Sequence, residues 1–385
     1  MALVVEEFLG WVDGAPLERR IDAASALARS YLHSPLDPRE RRMIEAGLLV
    51  LLDDASPKVR LRLAETLAPH AGAPRHVLSG LIGDLPAIAA PVLMRAPLLD
   101  DAELLGAIRQ GGETRLRAIA RRESLSDRVM AALARHTGLE SSLDLLEHHG
   151  RRLGEGDLLA LIDRHGENPV LREALTACGR QSVAIQRRLI GRISEAMGGS
   201  GLVRNALGDK DLKRVTRDAS EKAYLEMAAG CTPAELVQLV GGLVENGDLT
   251  ASTLLRACVI GNRAFLTTAL ALLCDLPEKK VDSILASGRQ AALGALVQKA
   301  ELPPVAAAIV SMAVAIWREV ARYRIELDPA LFSQAMLDAL DEGDLDMVFT
   351  TASERSVIAH LRRIALDILR DDARAYAQLT REAAA

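Results

Sequence analysis

Aromatic residues make up 3% of this 385-residue sequence, with four phenylalanines, four tyrosines and two tryptophans. That scarcity, with Ala and Leu dominant, leaves little material for β-strands, which favour aromatic and β-branched side chains. The four cysteines (Cys178, Cys231, Cys258, Cys274) lie far apart and form no C-x-x-C pair. This pattern argues against a disulfide framework or zinc site and for reduced, mostly buried thiols in a cytoplasmic protein. Long apolar runs are also missing. The longest uncharged stretch, 302–317, has 16 residues and opens on Leu302-Pro303-Pro304, short of the ~20 that span a bilayer, so it reads as a core helix and no membrane partner is expected. At the N-terminus, Glu6 and Glu7 stand where a secretory signal needs bases. Net charge is small, 47 Lys and Arg against 52 Asp and Glu, which gives no global attraction to nucleic acid or anionic lipid.

Catalytic signatures are equally sparse. No window matches the phosphate-cradling G-x-x-x-x-G-K-[ST], G-x-S-x-G or H-E-x-x-H. Gly154-Glu155-Gly156 lacks the third glycine and the preceding strand of a dinucleotide fingerprint, and reads as a helix turn. Glu147-His148-His149, with His136 and His165 nearby, is the densest histidine cluster. Adjacent histidines diverge by about 100° on a helix, so a solvated helix end explains them better than a metal. The acids between Asp338 and Asp346 hint at a calcium loop, but Leu340 and Phe349 fall at its third and twelfth positions, where ligating oxygens are required. No cofactor or metal is expected.

Helix signals fill the space. Apolar residues recur at three- and four-residue steps, and Asp37-Pro38-Arg39-Glu40 has the cap, the first-turn proline and the reciprocal glutamate of a helix start. Gly-Asp-Leu at 156–158, 247–249 and 343–345 is read as glycine ending one helix and aspartate capping the next. The fold class is all-α.

Spacing adds architecture. Val59, Ile88, Leu116, Leu143 and Leu171 anchor five segments 29, 28, 27 and 28 residues apart, and Val77, Leu104, Val129, Leu158 and Ile185 anchor a second series between them. Two short helices per period of about 28 residues mark an α-solenoid. Asp54-Ala55-Ser56-Pro57-Lys58-Val59-Arg60, followed by Ala64 and Leu67, resembles the opening helix of a short HEAT-like repeat. Residues 37–190 are similar to a bacterial HEAT-like repeat family of unknown function, carried by Asp37-Pro38-Arg39-Glu40-Arg41, Ser56-Pro57-Lys58-Val59-Arg60 and Ile88-Ala89-Ala90-Pro91-Val92-Leu93. The resemblance implies a helical-repeat fold and no defined activity. Arg60, Arg117 and Arg172 follow their anchors and are expected to pair with acids of the neighbouring repeat.

The expected organisation is N-terminal capping helices over 1–52, about five repeats over 53–197, a glycine-rich break at 198–201, and an all-helical domain over 202–385, with a continuous solenoid kinked at 198–201 as the alternative. Within the last, the stretch from Gly261 to Leu276-Pro277 parallels that from Gly288 to Leu302-Pro303 at offsets of 27 and 26. Closing helices are expected at 306–325, 329–342 and 354–380.

Charge is the remaining signal. Residues 180–222 carry ten bases and five acids, while 326–354 carry eight acids and no Lys or Arg. Such asymmetry steers a partner of opposite sign or masks one segment with the other. The leading functional reading is a non-catalytic scaffold or adaptor for protein–protein interaction. The second helix of each pair would present Arg75, His76, Arg109, Arg128, Arg135, Arg164 and Arg187 to an acidic segment of another protein, with self-association as a related option. The alternative is binding of a nucleic-acid backbone through Arg188, Arg192, Arg204, Lys210, Lys213, Arg214 and Arg217, against which stand the few aromatics and the acidic net charge. A third class is an enzyme with an unrecognised site between the halves near 198–201.

Overall fold

The computed structural model describes residues 14–179, 181–199, 208–324, 328–342, 349 and 351–383. Every regular element among them is helical, twenty-one α-helices and two 3-10 turns, with no strand. The chain divides into two compact units, Met1–Ile193 and Ser194–Ala385. Of the glycine-rich stretch at 198–201, Gly198 and Gly199 end a helix, while Ser200 and Gly201 lie outside the described residues.

The first unit contains α1 (Leu17–His33), α2 (Pro38–Val50), α3 (Pro57–Leu67), α4 (Arg75–Ile82), α5 (Pro86–Arg95), α6 (Asp101–Gln110), α7 (Glu113–Ala120), α8 (Asp127–His136), α9 (Leu139–His149), α10 (Glu155–His165), α11 (Pro169–Ala177) and the first part of α12 (Val183–Gly199). Local chemistry sets the starts. Asp37 accepts from the Arg39 and Glu40 amides while Glu40 accepts from Asp37, closing a capping box before α2. Proline opens α2, α3, α5 and α11, where its missing N–H costs no helical bond. Of the ten regularly spaced apolar anchors, nine are buried and Leu143 is partly so. Burying a Leu or Val side chain contributes about 2 kcal/mol, so this periodic series drives the packing. Odd-numbered helices pack side by side, α1 on α3, α3 on α5, α5 on α7, α7 on α9 and α9 on α11, and α6, α8 and α10 form a second row.

Two of the three arginines expected to link successive helices do so. Arg60 binds Asp84 at 2.6 Å, and Arg117 binds Asp144 at 2.7 Å. Arg172 instead donates to the Gly166 and Glu167 carbonyls of its own preceding turn. The corresponding positions further on, 196–199, hold no acid.

The second unit contains the end of α12, α13 (Asp209–Ala229), α14 (Pro233–Glu245), α15 (Ala251–Val259), α16 (Arg263–Cys274), α17 (Glu278–Ser287), α18 (Gln290–Lys299), α19 (Pro304–Tyr323), α20 (Pro329–Glu342) and α21 (Ala352–Ala383). Helix α15 is central, packing against α13, α16, α19, α20 and α21, with Leu254, Leu255, Ala257, Cys258 and Val259 buried. The internal match has a backbone basis. Gly261 and Gly288 both take positive φ (74° and 65°), and so do Asp275 and Glu301 before the two Leu-Pro stops (48° and 55°). The helices expected at 306–325, 329–342 and 354–380 are α19, α20 and α21. Among the described residues α19 is the single helix long and apolar enough to cross a membrane by length and composition; it packs on α15, α17, α18 and α20 through Val305, Ile309, Val310 and Val314.

The Gly-Asp-Leu reading is corrected at two sites. Asp157 lies inside the first turn of α10, and Gly154 takes the cap. Thr250, not Asp248, caps α15, through its hydroxyl and the Thr253 amide. In both cases the capping geometry belongs to a neighbouring residue with extended φ/ψ. The third site, 343–345, lies outside the described residues, as does Asp346, whereas Asp338, Asp341 and Glu342 lie in the last part of α20.

Candidate interaction site

The sequence-derived inner-face residues do not form one uniform set. Arg75 is engaged by Asp100 at 2.8 Å and Glu103 at 3.1 Å, so it bridges α4 to the capping box of α6. His76 meets Glu45 at 3.0 Å, and Arg187 is half-buried on α12. The remaining four are exposed. Arg128 and Arg135, seven residues apart, share one face of α8. Arg164 on α10 donates to the Arg135 carbonyl at 2.9 Å, and Arg109 ends α6, which packs on α8. Among the described residues no carboxylate pairs with Arg109, Arg128, Arg135 or Arg164, whereas nearby acids are taken by other arginines: Asp127 by Arg152 at 3.5 Å and Asp163 by Arg188.

The basic segment is likewise divided. Arg188 and Arg192 lie on α12, paired with Asp163 and, at 4.0 Å, with Glu167. Arg180 and Arg204 fall outside the described residues. Lys210, Lys213, Arg214 and Arg217, by contrast, come together on α13. Their i, i+3, i+4, i+7 spacing puts them on one helical face, and Leu212 between them is buried.

That face forms one wall of a trough. Helices α13 and α21 both pack against α15, and they are bridged across it by Asp218 with Arg363 at 3.4 Å and Lys222 with Asp371 at 2.6 Å. Because these pairs occur in the same order along both chains, α13 and α21 run parallel. The Lys222–Asp371 bond holds both partners charged, raising the lysine pKa and lowering that of the aspartate.

A buried ionic group divides the trough. Glu221 accepts from the Thr250 and Ser252 hydroxyls at 3.0 and 2.8 Å and faces Arg256 at 3.5 Å. Asp218 lies between Arg256 at 3.7 Å and Arg363, and Arg363 donates to His360 Nδ1 at 2.7 Å. Burial lowers the His360 pKa, against the raising influence of Asp218. On one side of this group is a cavity of about 630 Å3 lined by the four α13 bases with Ser252, Ser356, His360 and Arg363. On the other is one of about 710 Å3 lined largely by Leu225, Ile260, Trp317, Phe332, Ile364 and Ile368. Local sequence could flag the α13 bases. Arg363, Ser356 and Ser252 carried no signal, since only tertiary packing brings them to α13.

The histidine cluster resolves into separate roles. His148 Nδ1 lies 2.9 Å from the Asp144 carbonyl, His165 Nε2 lies 3.2 Å from the Thr137 carbonyl, and His149 is buried. Among the described residues no three His, Cys, Asp or Glu side chains are grouped to hold a metal ion. The four cysteines are free.

Compared with known families, the chain belongs to DUF2336, a family described as uncharacterised proteins conserved in bacteria, whose model matches residues 88–349. The match thus begins after the 54–60 segment and extends well beyond residue 190, where the sequence resemblance stopped. No curated protein and no solved structure matches the chain.

Proposed function

We propose that this protein is a non-catalytic interaction scaffold of the bacterial cytoplasm, whose first unit is an α-solenoid of HEAT-like helix pairs binding an acidic segment of another protein. The carrying observation is the exposed strip Arg109, Arg128, Arg135 and Arg164, which has no carboxylate partner among the described residues. Arginines on three helices, without carboxylate partners among the described residues, present planar, multidentate donors suited to carboxylates, and their mutual repulsion is relieved by an acidic ligand. The 28-residue period and the two rows of packed helices support the repeat assignment, because stacked pairs make an extended surface. Four free cysteines fit a reducing compartment.

The test is capture of partners from native lysate by the tagged chain and by a variant with Arg109, Arg128, Arg135 and Arg164 changed to Glu. Loss of a stoichiometric protein partner with an unchanged melting temperature is expected; identical capture by the variant refutes the reading. Self-association through the same strip would appear as a concentration-dependent mass in sedimentation, abolished in that variant.

Nucleic-acid binding is the second reading, favoured by the clustering of Lys210, Lys213, Arg214 and Arg217 on one face. It requires affinity that falls steeply with salt as phosphate contacts release counterions. A flat salt response, or no binding at low salt, removes it.

A further inference from the structure

The basic end of the trough in the second unit has more positive charge than its own carboxylates compensate. Five cationic side chains line it, Lys210, Lys213, Arg214, Arg217 and Arg363, against one carboxylate, Asp218. Asp218 is already shared between Arg256 and Arg363. Arg214 meets Asp211 at 3.0 Å, but in an exposed i, i+3 pair that contributes little. Among the described residues no carboxylate pairs with Lys210, Lys213 or Arg217. Their positions on one helical face keep like charges within two turns of one another, and a bound anion would relieve that repulsion.

Two further donors face this end. Arg363 extends from α21 and the Ser356 hydroxyl lines the same cavity, while the Ser252 hydroxyl beside them is already donated to Glu221. Both parallel helices, α13 and α21, begin at this end of the trough, so the positive ends of their dipoles reinforce the side-chain charge. Arginine forks with hydroxyl donors and helix N-termini are the chemistry that recognises a phosphate group.

The surroundings limit the ligand's size. No Phe, Tyr or Trp lines the cavity to stack a base. Further along the trough the lining includes Glu226, Asp328, Asp367, Asp371 and Asp372, a concentration of acids that repels a polyanion continuing in that direction. The favourable region is therefore short, bounded by the buried Glu221–Arg256 group. We propose that this cavity is a binding subsite for a single phosphomonoester dianion, held by Lys210, Lys213, Arg217 and Arg363. It is independent of the arginine strip in the first unit.

Calorimetric titration of the full chain, with ionic strength matched between probes and the series repeated at a low and a high salt concentration, tests the subsite with three probes: inorganic phosphate, the capped peptide Gly-phosphoserine-Gly and a 20-residue oligothymidylate. Saturable binding of inorganic phosphate is expected, weakened at least tenfold in Lys213→Glu/Arg217→Glu. Both positions are exposed, and Lys210→Gln/Lys213→Gln is a milder second variant expected to weaken binding in the same direction. Circular dichroism and melting temperature establish that each variant is folded. Tighter binding of the phosphopeptide than of inorganic phosphate assigns the group to a protein segment; equal binding assigns it to a small free phosphate. Absence of saturable phosphate binding by the wild-type chain, unchanged affinity in both folded variants, or preferential salt-sensitive binding of the oligothymidylate overturns the proposal.

Discussion

Arg117 and Asp144 are 27 residues apart in sequence, yet the arginine Nε donates to Asp144 Oδ2 at 2.7 Å, joining α7 to α9. Asp144 is buried and also receives Arg121 at 2.9 Å. Burial alone would raise its pKa, but the bonds from Arg117 and Arg121 outweigh that and hold it below the ordinary aspartate value. The carboxylate therefore stabilises the fold at pH values above the unfolded aspartate pKa, and this contribution is lost as pH falls through the depressed folded value. Asp144→Asn keeps the volume and removes the charge. It is expected to destabilise the chain by about 2 kcal/mol at pH 7, read from the urea midpoint.

Arg122 makes a different kind of link. It is buried, and its two terminal nitrogens donate to the Leu93 and Ala96 carbonyls at 2.6 and 2.8 Å, closing the C-terminal end of α5. Burial lowers its pKa, and no carboxylate is among the causes, so its role is to satisfy orphan carbonyls. Arg122→Met preserves much of the stem and leaves those carbonyls unpaired. A loss of about 2–3 kcal/mol is expected in the same urea assay, compared with less than about 1 kcal/mol for Arg75→Met, whose ion pairs are exposed.

Two glycines should respond in opposite directions to the same substitution. At Gly261 φ is 74°, and a Cβ would stand 2.6 Å from the Phe332 ring. Gly261→Ala must strain the backbone and displace a buried aromatic ring, with an expected cost of about 2–3 kcal/mol. Gly294 lies within α18 with nothing near the added methyl. Gly294→Ala should stabilise by about 0.5–1 kcal/mol. Thermal melts of the two variants, shifted down and up respectively, check the pair.

Two histidines set a pH dependence. His149 and His360 both titrate below the ordinary value of 6.5, chiefly because burial penalises the imidazolium. His149 is further lowered by Arg152 and His148, while Asp218 and Glu221 raise His360 against Arg256 and Arg363. The unfolded chain takes up these protons near pH 6.5, and the folded chain does so only at lower pH. Stability from both sites is thus fully present above pH 6.5 and declines as pH falls from there towards the depressed folded values. The urea midpoint should drop between pH 7.5 and 5.5, and His149→Gln/His360→Gln should flatten that slope.

Much of the fold was legible locally. The all-helical class follows from apolar residues at three- and four-residue steps, and regularly spaced apolar anchors such as Val59, Ile88 and Leu116 are buried. Caps were readable where one residue supplies both the side chain and the extended backbone, as at Asp37. They were misread at Asp157 and Asp248, where Gly154, three residues before, and Thr250, two residues after, take that backbone conformation instead. The candidate sites were only half legible. Clusters on one helix, such as Lys210 to Arg217, are visible as spacing, but pairing is not: Arg75 is spent on Asp100 and Glu103 while Arg128 stays exposed.

What sequence alone determined is therefore one-dimensional. Periodicity, helix punctuation and charge density along the chain depend on near neighbours, and local physics dictates them. Tertiary structure decided which charges remain available. Arg363 reaches the α13 cavity, and Asp218 is shared between two arginines, because α13 and α21 both pack against α15. An ion pair depends on distance in space, and residues 145 positions apart acquire that distance only through the packing of the helices that carry them.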